Sequence, residues 1–191
     1  MLRILLINDT PKKVGRLKSA LTEAGFEVID ESGLVIDLPE RVEAIRPDVI
    51  LIDTDSPSRD TLENLAAMNK DMPRPVVIFT QEDGRETIRD AVRAGVSAYV
   101  VDGLDPKRIK PIVEVARARF EDTQALRREL DEISQKLTDR KLVDKAKGVL
   151  MKARGLDEEA AYHAMRKLAM ERGQTIAKVA RDVIDMARVL L

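Results

Sequence analysis

Hydrophobic positions follow two regimes along the chain. Up to about residue 101, short apolar runs alternate with amphipathic stretches of helical period. The runs are Arg3–Ile7, Phe26–Asp30, Val49–Ile52, Val76–Phe79 and Ala98–Val101. Four of them are nearly continuous in apolar residues, as parallel strands covered on both faces are. Between the runs, Lys12–Ala24 sets Val14, Leu17 and Leu21 on one face and stops at Gly25. Leu38–Ile45 stops before Pro47, Thr61–Lys70 forms a third helix, and Glu86–Ala94 closes at Gly95. Five strand–helix repeats predict right-handed crossovers and a doubly wound α/β sheet.

After Asp105-Pro106 the period is helical to the end. Ile112, Ala116, Arg119, Thr123, Leu126, Leu130, Ile133 and Leu137 are spaced by alternating fours and threes, a heptad seam. An unbroken helix from Lys107 to Leu137 would be about 45 Å long at roughly 1.5 Å per residue. Its apolar stripe needs cover. A second copy would supply it in a homodimerising coiled coil, with Leu126, Leu130, Ile133 and Leu137 at the interface. The other arrangement folds the helix back on its own domain, and Arg119 and Thr123 in the seam keep it open. Three short helices follow. The first, Thr138–Ala153, ends at Gly155. The second runs from an Asp157 N-cap to Arg172, with Gly173 beyond. The third opens at Thr175 and turns Ile176, Val179, Ala180, Val183, Ile184 and Ala187 inward. Ala146, Leu150, Met151, Leu168, Ala169 and Met170 read as core at helical spacing.

Composition narrows the chemistry. A chain of 191 residues, 44% hydrophobic and 35% charged, has the apolar material for one large or two small packed domains. The absence of Cys excludes disulfides, thiolate metal sites and Cys nucleophiles, and a single histidine, His163, speaks against a multi-His metal site or a Ser-His-Asp hydrolase. A non-enzymatic protein is expected, with His163 on the surface. No apolar run reaches the roughly 18 residues of a membrane helix. The segment MLRILLIND reads as a buried strand and not a signal peptide, so a cytoplasmic protein without a membrane partner is expected. The net charge of −1 hides an asymmetry. From Asp139 onward, six Lys and six Arg face five Asp and three Glu, a balance of +4, which leaves −5 for residues 1–138. Two modules with different partners follow from that split.

In an open parallel sheet, functional groups gather at the carboxyl ends of the strands. Here these are Asn8 and Asp9, then Asp53, Thr54 and Asp55, then Thr80, then Asp102. Carboxylates meeting there repel unless a divalent cation or a conformational device intervenes. The arrangement resembles the receiver domain of two-component response regulators over residues 1 to about 120, which implies a flavodoxin-like fold. The resemblance makes Asp53 the phosphoacceptor, Asp9 and Asp53 ligands for Mg²⁺, and Thr80 the switch hydroxyl that moves toward the phosphate. Two departures stand out. Asn8 replaces an acid, removing one charge from the metal site. Tyr99-Val100-Val101-Asp102-Gly103 stands where the family has Tyr-Leu-x-Lys-Pro, so Asp102 occupies the place of the phosphate-pairing cation and opposes an incoming phosphoryl group. The departures favour a docking surface controlled by a partner protein over routine phosphorylation. No cofactor is then required, and Mg²⁺ is an optional occupant of the acidic pocket. The loop from Asp53 to Asp60 reads either as turn chemistry with a helix start near Ser58 or as a recognition loop.

The run Asp144-Lys145-Ala146-Lys147-Gly148-Val149-Leu150-Met151 is followed by Gly155, Glu158, Ala161, Tyr162, Arg166, Leu168-Ala169-Met170 and Val179-Ala180. From about Leu142 to Ile184 these residues resemble the ANTAR domain, the three-helix RNA-binding module of AmiR- and NasR-type transcription antiterminators. The whole order is a receiver (1–120), a coiled-coil helix (107–137) and an ANTAR domain (138–191). It is most similar to NasT-type regulators of nitrate assimilation. The resemblance implies a dimer that binds stem-loops in leader RNA, promotes antitermination and is silenced by a nitrate-sensing partner. The residues can be weighed separately. Lys145, Lys147, Lys152 and Arg154 crowd one helix end and Arg166, Lys167 and Arg172 the next, a density suited to phosphate contacts. Tyr162 is the sole aromatic after Phe120; it either stacks on a looped-out base or packs in the bundle. Gly148 inside a helix costs about 1 kcal/mol against Ala, which close approach of RNA or another backbone would justify. Two other functions stay open: a DNA-binding response regulator activated by phosphorylation at Asp53, and an adaptor whose bundle binds protein alone.

Overall fold

The computed structural model describes residues 1–8, 14–32, 38–101 and 106–190. Contacts divide the chain into two units, Met1–Gln124 and Ala125–Leu191. In the first, strands β1 (Arg3–Asn8), β2 (Glu27–Ser32), β3 (Val49–Asp53), β4 (Val76–Thr80) and β5 (Ala98–Val101) form one sheet in the order β2-β1-β3-β4-β5. Every pairing is parallel. Helices α1 (Val14–Glu23), α2 (Leu38–Ile45), α3 (Arg59–Asp71) and α4 (Arg85–Arg93) connect the strands, and α5 (Pro106–Arg154) follows the last. The order is that of the flavodoxin-like doubly wound sheets, as expected.

Strand alternation explains the two-sided core. Ile4, Leu6, Val49, Leu51, Val77 and Phe79 face one side, against Leu17 and Leu21 of α1 and Ile109, Val113 and Ala116 of α5. Leu5, Ile7, Ile50, Ile52, Val76 and Ile78 face the other, against α2, α3 and α4. Strands β1, β3 and β4 are therefore apolar on both faces, and their runs read as continuous.

The second unit is the far part of α5 with α6 (Glu158–Arg172) and α7 (Ile176–Leu190). Its buried cluster is small: Val143, Ala146, Met165, Ala169, Val179, Ala180 and Ile184. Asp157 caps α6 by accepting the Ala160 N–H at 2.7 Å. Gly155 and Gly173 take φ of +66° and +60°, a left-handed backbone that glycine adopts without strain.

The structure departs from the sequence reading in three places. The helix expected to end at Leu137 does not end there; α5 is one element to Arg154. No glycine or proline lies between Pro111 and Gly148, so the chain has nothing to stop it before Gly155. The heptad seam also splits. Ala116 is fully buried and Ile112 packs beside it in the receiver core, while Arg119 and Thr123 are exposed. Leu126, Leu130, Ile133 and Leu137 remain 53–65% exposed. Finally, Met151 and Met170 are not core. They are 39% and 75% exposed, because their turns of helix face away from the cluster that holds Ala146 and Ala169.

Candidate functional site

Two regions hold the candidate residues. In the receiver, the parallel register sets Asn8 of β1 beside Asp53 of β3. The Asn8 amide donates from Nδ2 to Asp53 Oδ2 at 3.2 Å. A neutral donor thus occupies the place where a second acid would repel, and it satisfies one oxygen of the half-buried Asp53 carboxylate. Asp9 and Asp102 lie outside the described residues.

Thr80, 3% exposed at the end of β4, is held on both sides. Its Oγ1 donates to the Asp55 carbonyl at 2.9 Å and accepts the Glu82 N–H at 3.1 Å. The Gln81 N–H also reaches the Asp55 carbonyl, and the Thr54 N–H donates to the Phe79 carbonyl. Tyr99 of β5 donates its hydroxyl to the Glu82 carbonyl at 3.0 Å. Burial raises the Tyr99 pKa above its ordinary value, and the nearby Thr80 hydroxyl acts in the opposite direction. The loops after β3 and β4 are thereby stitched together through Thr80 and Asp55. In the loop ending at Asp60, Ser58 is the N-cap of α3, its hydroxyl accepting the Thr61 N–H at 3.1 Å. The helix start near Ser58 that one of the loop's two readings expected is therefore present.

Receiver domains typically bind Mg²⁺ at this pocket, an ion that wants six oxygen ligands. Of the two ligands expected, Asp53 is described and Asp9 is not. Asn8 turns an N–H and not an oxygen toward Asp53, and no group of three or more His, Asp or Glu among the described residues could hold a metal ion.

In the second unit, Lys145, Lys152, Arg154, Arg166, Lys167 and Arg172 are exposed. None of the six has a hydrogen-bond or ion-pair partner among the described residues. Lys147 is different. Its Nζ lies 2.7 Å from both Asp144 Oδ1 and Glu158 Oε1, and its side chain is 16% exposed. Those hydrogen bonds, to Asp144 and then Glu158, raise the Lys147 pKa above the usual lysine value, and the Lys147 contact lowers that of Asp144. Lys147 ties α5 to the start of α6. Tyr162 is 40% exposed, with its ring edge-on to His163 at 6.2 Å between centroids. His163 is a surface residue, as expected, beside Glu159.

Residues 4–114 match the response regulator receiver domain, and residues 131–184 match the ANTAR domain. The chain belongs to the ANTAR-domain response regulators. It is 31% identical over 183 residues to the transcriptional regulatory protein PdtaR of Mycobacterium tuberculosis, covering 96% of this chain and 89% of that protein. The nitrate regulatory protein of Klebsiella oxytoca is 36% identical over 85 residues, which are 44% of this chain and 22% of that protein. In fold, the receiver domain of the putative response regulator NarL from Mycobacterium tuberculosis aligns with a TM-score of 0.55 at 22% identity, over 61% of this chain and 96% of that one.

Parts of this response regulator's site escaped the sequence reading. Tyr99 and Glu82 join Thr80 through bonds that only the folded loops bring together, and the strand pattern marks Tyr99 as nothing more than a β5 residue. The Lys147–Glu158 bridge crosses the turn at Gly155, so no helical spacing reveals it. No helix among the described residues is long and apolar enough to cross a membrane.

Proposed function

We propose that this response regulator is a dimeric RNA-binding protein that promotes transcription antitermination by holding stem-loops of a leader RNA. The observation that carries the reading is that six cations of the small ANTAR unit, Lys145, Lys152, Arg154, Arg166, Lys167 and Arg172, have no partner among the described residues. Cations left without intramolecular partners are available to phosphates, and each phosphate neutralised releases counterions. Lys147 then acts as a strut between α5 and α6, and Tyr162 offers its exposed face to an unpaired base. Leu126, Leu130, Ile133 and Leu137 form the interface of the dimer, which presents two binding faces at once and gains avidity on paired hairpins. Domain limits of 1–120, 107–137 and 138–191 serve this division of labour.

The receiver governs exposure of the binding faces through a partner protein, with Thr80 and Asp102 at its switch. Asn8 on Asp53 supports partner control over phosphoryl control. Similarity to a nitrate regulatory protein supports nitrate or nitrite assimilation as the setting, and a nitrate-sensing protein as the partner.

The test is a titration of the full chain against stem-loop RNA and duplex DNA of matched length across a range of salt. Preference for the loop-bearing RNA, with affinity falling steeply as salt rises, is expected. Preference for duplex DNA with paired half-sites would replace the reading with that of a DNA-binding regulator. Binding to neither would leave an adaptor.

A further inference from the structure

The ANTAR unit carries a cleft of about 580 Å³ where α5, α6 and α7 meet. Its walls are apolar: Leu150 and Ala153 from α5, Ala164 and Leu168 from α6, Val183 and Met186 from α7. Leu150, Leu168 and Val183 are only partly buried, and Met186 is 60% exposed. The cleft is therefore open apolar surface in a unit whose own core is small. Three of the six unpartnered cations, Arg154, Lys167 and Arg172, stand on its lining. The acids there are Glu171 and Asp182, and Asp182 is already engaged by Lys178 at 3.2 Å. The rim thus keeps positive charge to spare.

An apolar slot edged by free cations is complementary to one class of ligand: a flat, weakly hydrated ring attached to a polyanion. We infer that this cleft seats one unpaired nucleobase of the bound stem-loop, with the flanking phosphates on Arg154, Lys167 and Arg172. The inference rests on the RNA reading above and adds a specific seat to it. A loop base is already unpaired, so swinging it out of the stack costs little, and it is held between apolar side chains once inserted. Methionine suits such a wall because its polarisable thioether adapts to a ring face. Tyr162 does not line the cleft. The unit therefore offers two separate places for bases, an exposed ring and an apolar slot.

The test uses the full chain and a stem whose loop is randomised, from which the wild-type protein selects its tightest RNA. Ala164 is exposed and lines the cleft, so Ala164→Phe fills the slot without disturbing the core. It is expected to weaken the selected RNA by about tenfold or more, the scale of one lost base stack. Making the loop nucleotides abasic one at a time should find one position that costs the wild type a similar factor and costs Ala164→Phe nothing further. Met186→Glu, from the opposite wall, should repeat that non-additivity. Retained helical circular dichroism certifies both variants as folded. If the RNA binds wild type and both variants alike, the slot is not a base seat, although the RNA reading stands. If either variant shifts sedimentation instead of RNA affinity, the cleft is occupied by protein and the inference falls. If no RNA is selected, the RNA reading itself fails.

Discussion

The two units handle polar groups in opposite ways. In the receiver, the polar side chains at the strand ends turn onto one another: Asn8 onto Asp53, Thr80 onto the Asp55 carbonyl, Tyr99 onto the Glu82 carbonyl. Its large side chains are buried on both faces of the sheet. In the ANTAR unit a seven-residue buried cluster supports a surface of unpartnered cations, exposed methionines and a half-exposed tyrosine. At the receiver's strand ends the polar groups are satisfied within the chain, whereas the candidate cations and methionines of the ANTAR unit face outward. Covering exposed apolar surface is favourable, at about 25 cal/mol per Å², and exposed cations remain free to meet phosphates, so the second unit is where an external partner contributes most. The receiver is the part equipped to hold a conformation.

The largest effect is expected where that contrast is strongest, along α5 beyond Gln124. Leu130→Asp combined with Ile133→Asp places charges in the proposed interface, and sedimentation should show monomers. Burying a Leu or Ile side chain contributes about 1.5–3 kcal/mol, and a symmetric dimer loses four such side chains at once. Both residues are more than half exposed in the single chain, so the monomer should keep its thermal stability. An intact dimer would mean that the uncovered stripe is not the contact.

Next in size is Tyr162→Ala, expected to weaken stem-loop binding by about 1–3 kcal/mol if the ring stacks on a base. Fluorescence or filter binding with a folded variant measures it, and unchanged affinity removes the ring from the interface. The contrast predicts no comparable loss from Tyr99→Phe, whose hydroxyl serves the receiver's own loops.

Gly148 sharpens the comparison because nothing in the chain explains it. A Cβ built there meets no atom within 4 Å, so Gly148→Ala should stabilise α5 by about 1 kcal/mol from helix propensity alone. A rise in the thermal midpoint accompanied by weaker RNA binding or weaker dimerisation would show that the open space belongs to a partner. A rise with every affinity unchanged would leave the glycine without a role.

How much of this was legible beforehand follows physical lines. The strands of the sheet and their two-faced burial were readable, because alternation in Ile4-Leu5-Leu6-Ile7 is a local property of the chain. So were the α6 cap at Asp157 and the stop at Gly173, where local backbone chemistry decides. The continuity of α5 past Leu137 was not, since a heptad seam ending there reads like a helix ending there. The outward turn of Met151 and Met170 was missed for a related reason: hydrophobicity says that a side chain can be buried, and only the packing of three helices says which ones are. The stitching of Thr80 to Asp55 and of Lys147 to Glu158 depends on elements meeting in space, and no spacing encodes it.

A smaller effect is expected at the Lys147 bridge, which lies at the surface and is screened. Lys147→Met should lower the midpoint of the ANTAR unit slightly, by less than Gly148→Ala raises it, and the difference should shrink with added salt. Its pH dependence has a definite sign. Asp144 is held below the usual carboxylate range, so its share is present above about pH 4 and is lost as pH falls through the depressed value. Lys147 is held above the usual lysine range, so its share is present below about pH 10 and is lost as pH rises through the raised value. Wild type and variant should therefore differ by a constant amount across neutral pH and converge at both extremes. A difference that grows on acidification would mean that the bridge is not what Lys147 contributes.

The smallest effect is expected at Asp53, and its smallness is the point. The carboxylate already accepts a hydrogen bond from Asn8, and by resemblance to the receiver family Asp102 stands where a phosphate-pairing Lys is usual. Incubation with a small phosphodonor and Mg²⁺ should yield little stable acyl phosphate, and Asp53→Asn should leave stem-loop affinity unchanged. Ready labelling that disappears in Asp53→Asn, together with altered RNA binding, would restore phosphoryl control. The receiver's self-satisfied pocket would then be a resting state that phosphorylation opens, and the contrast between the units would become one of timing.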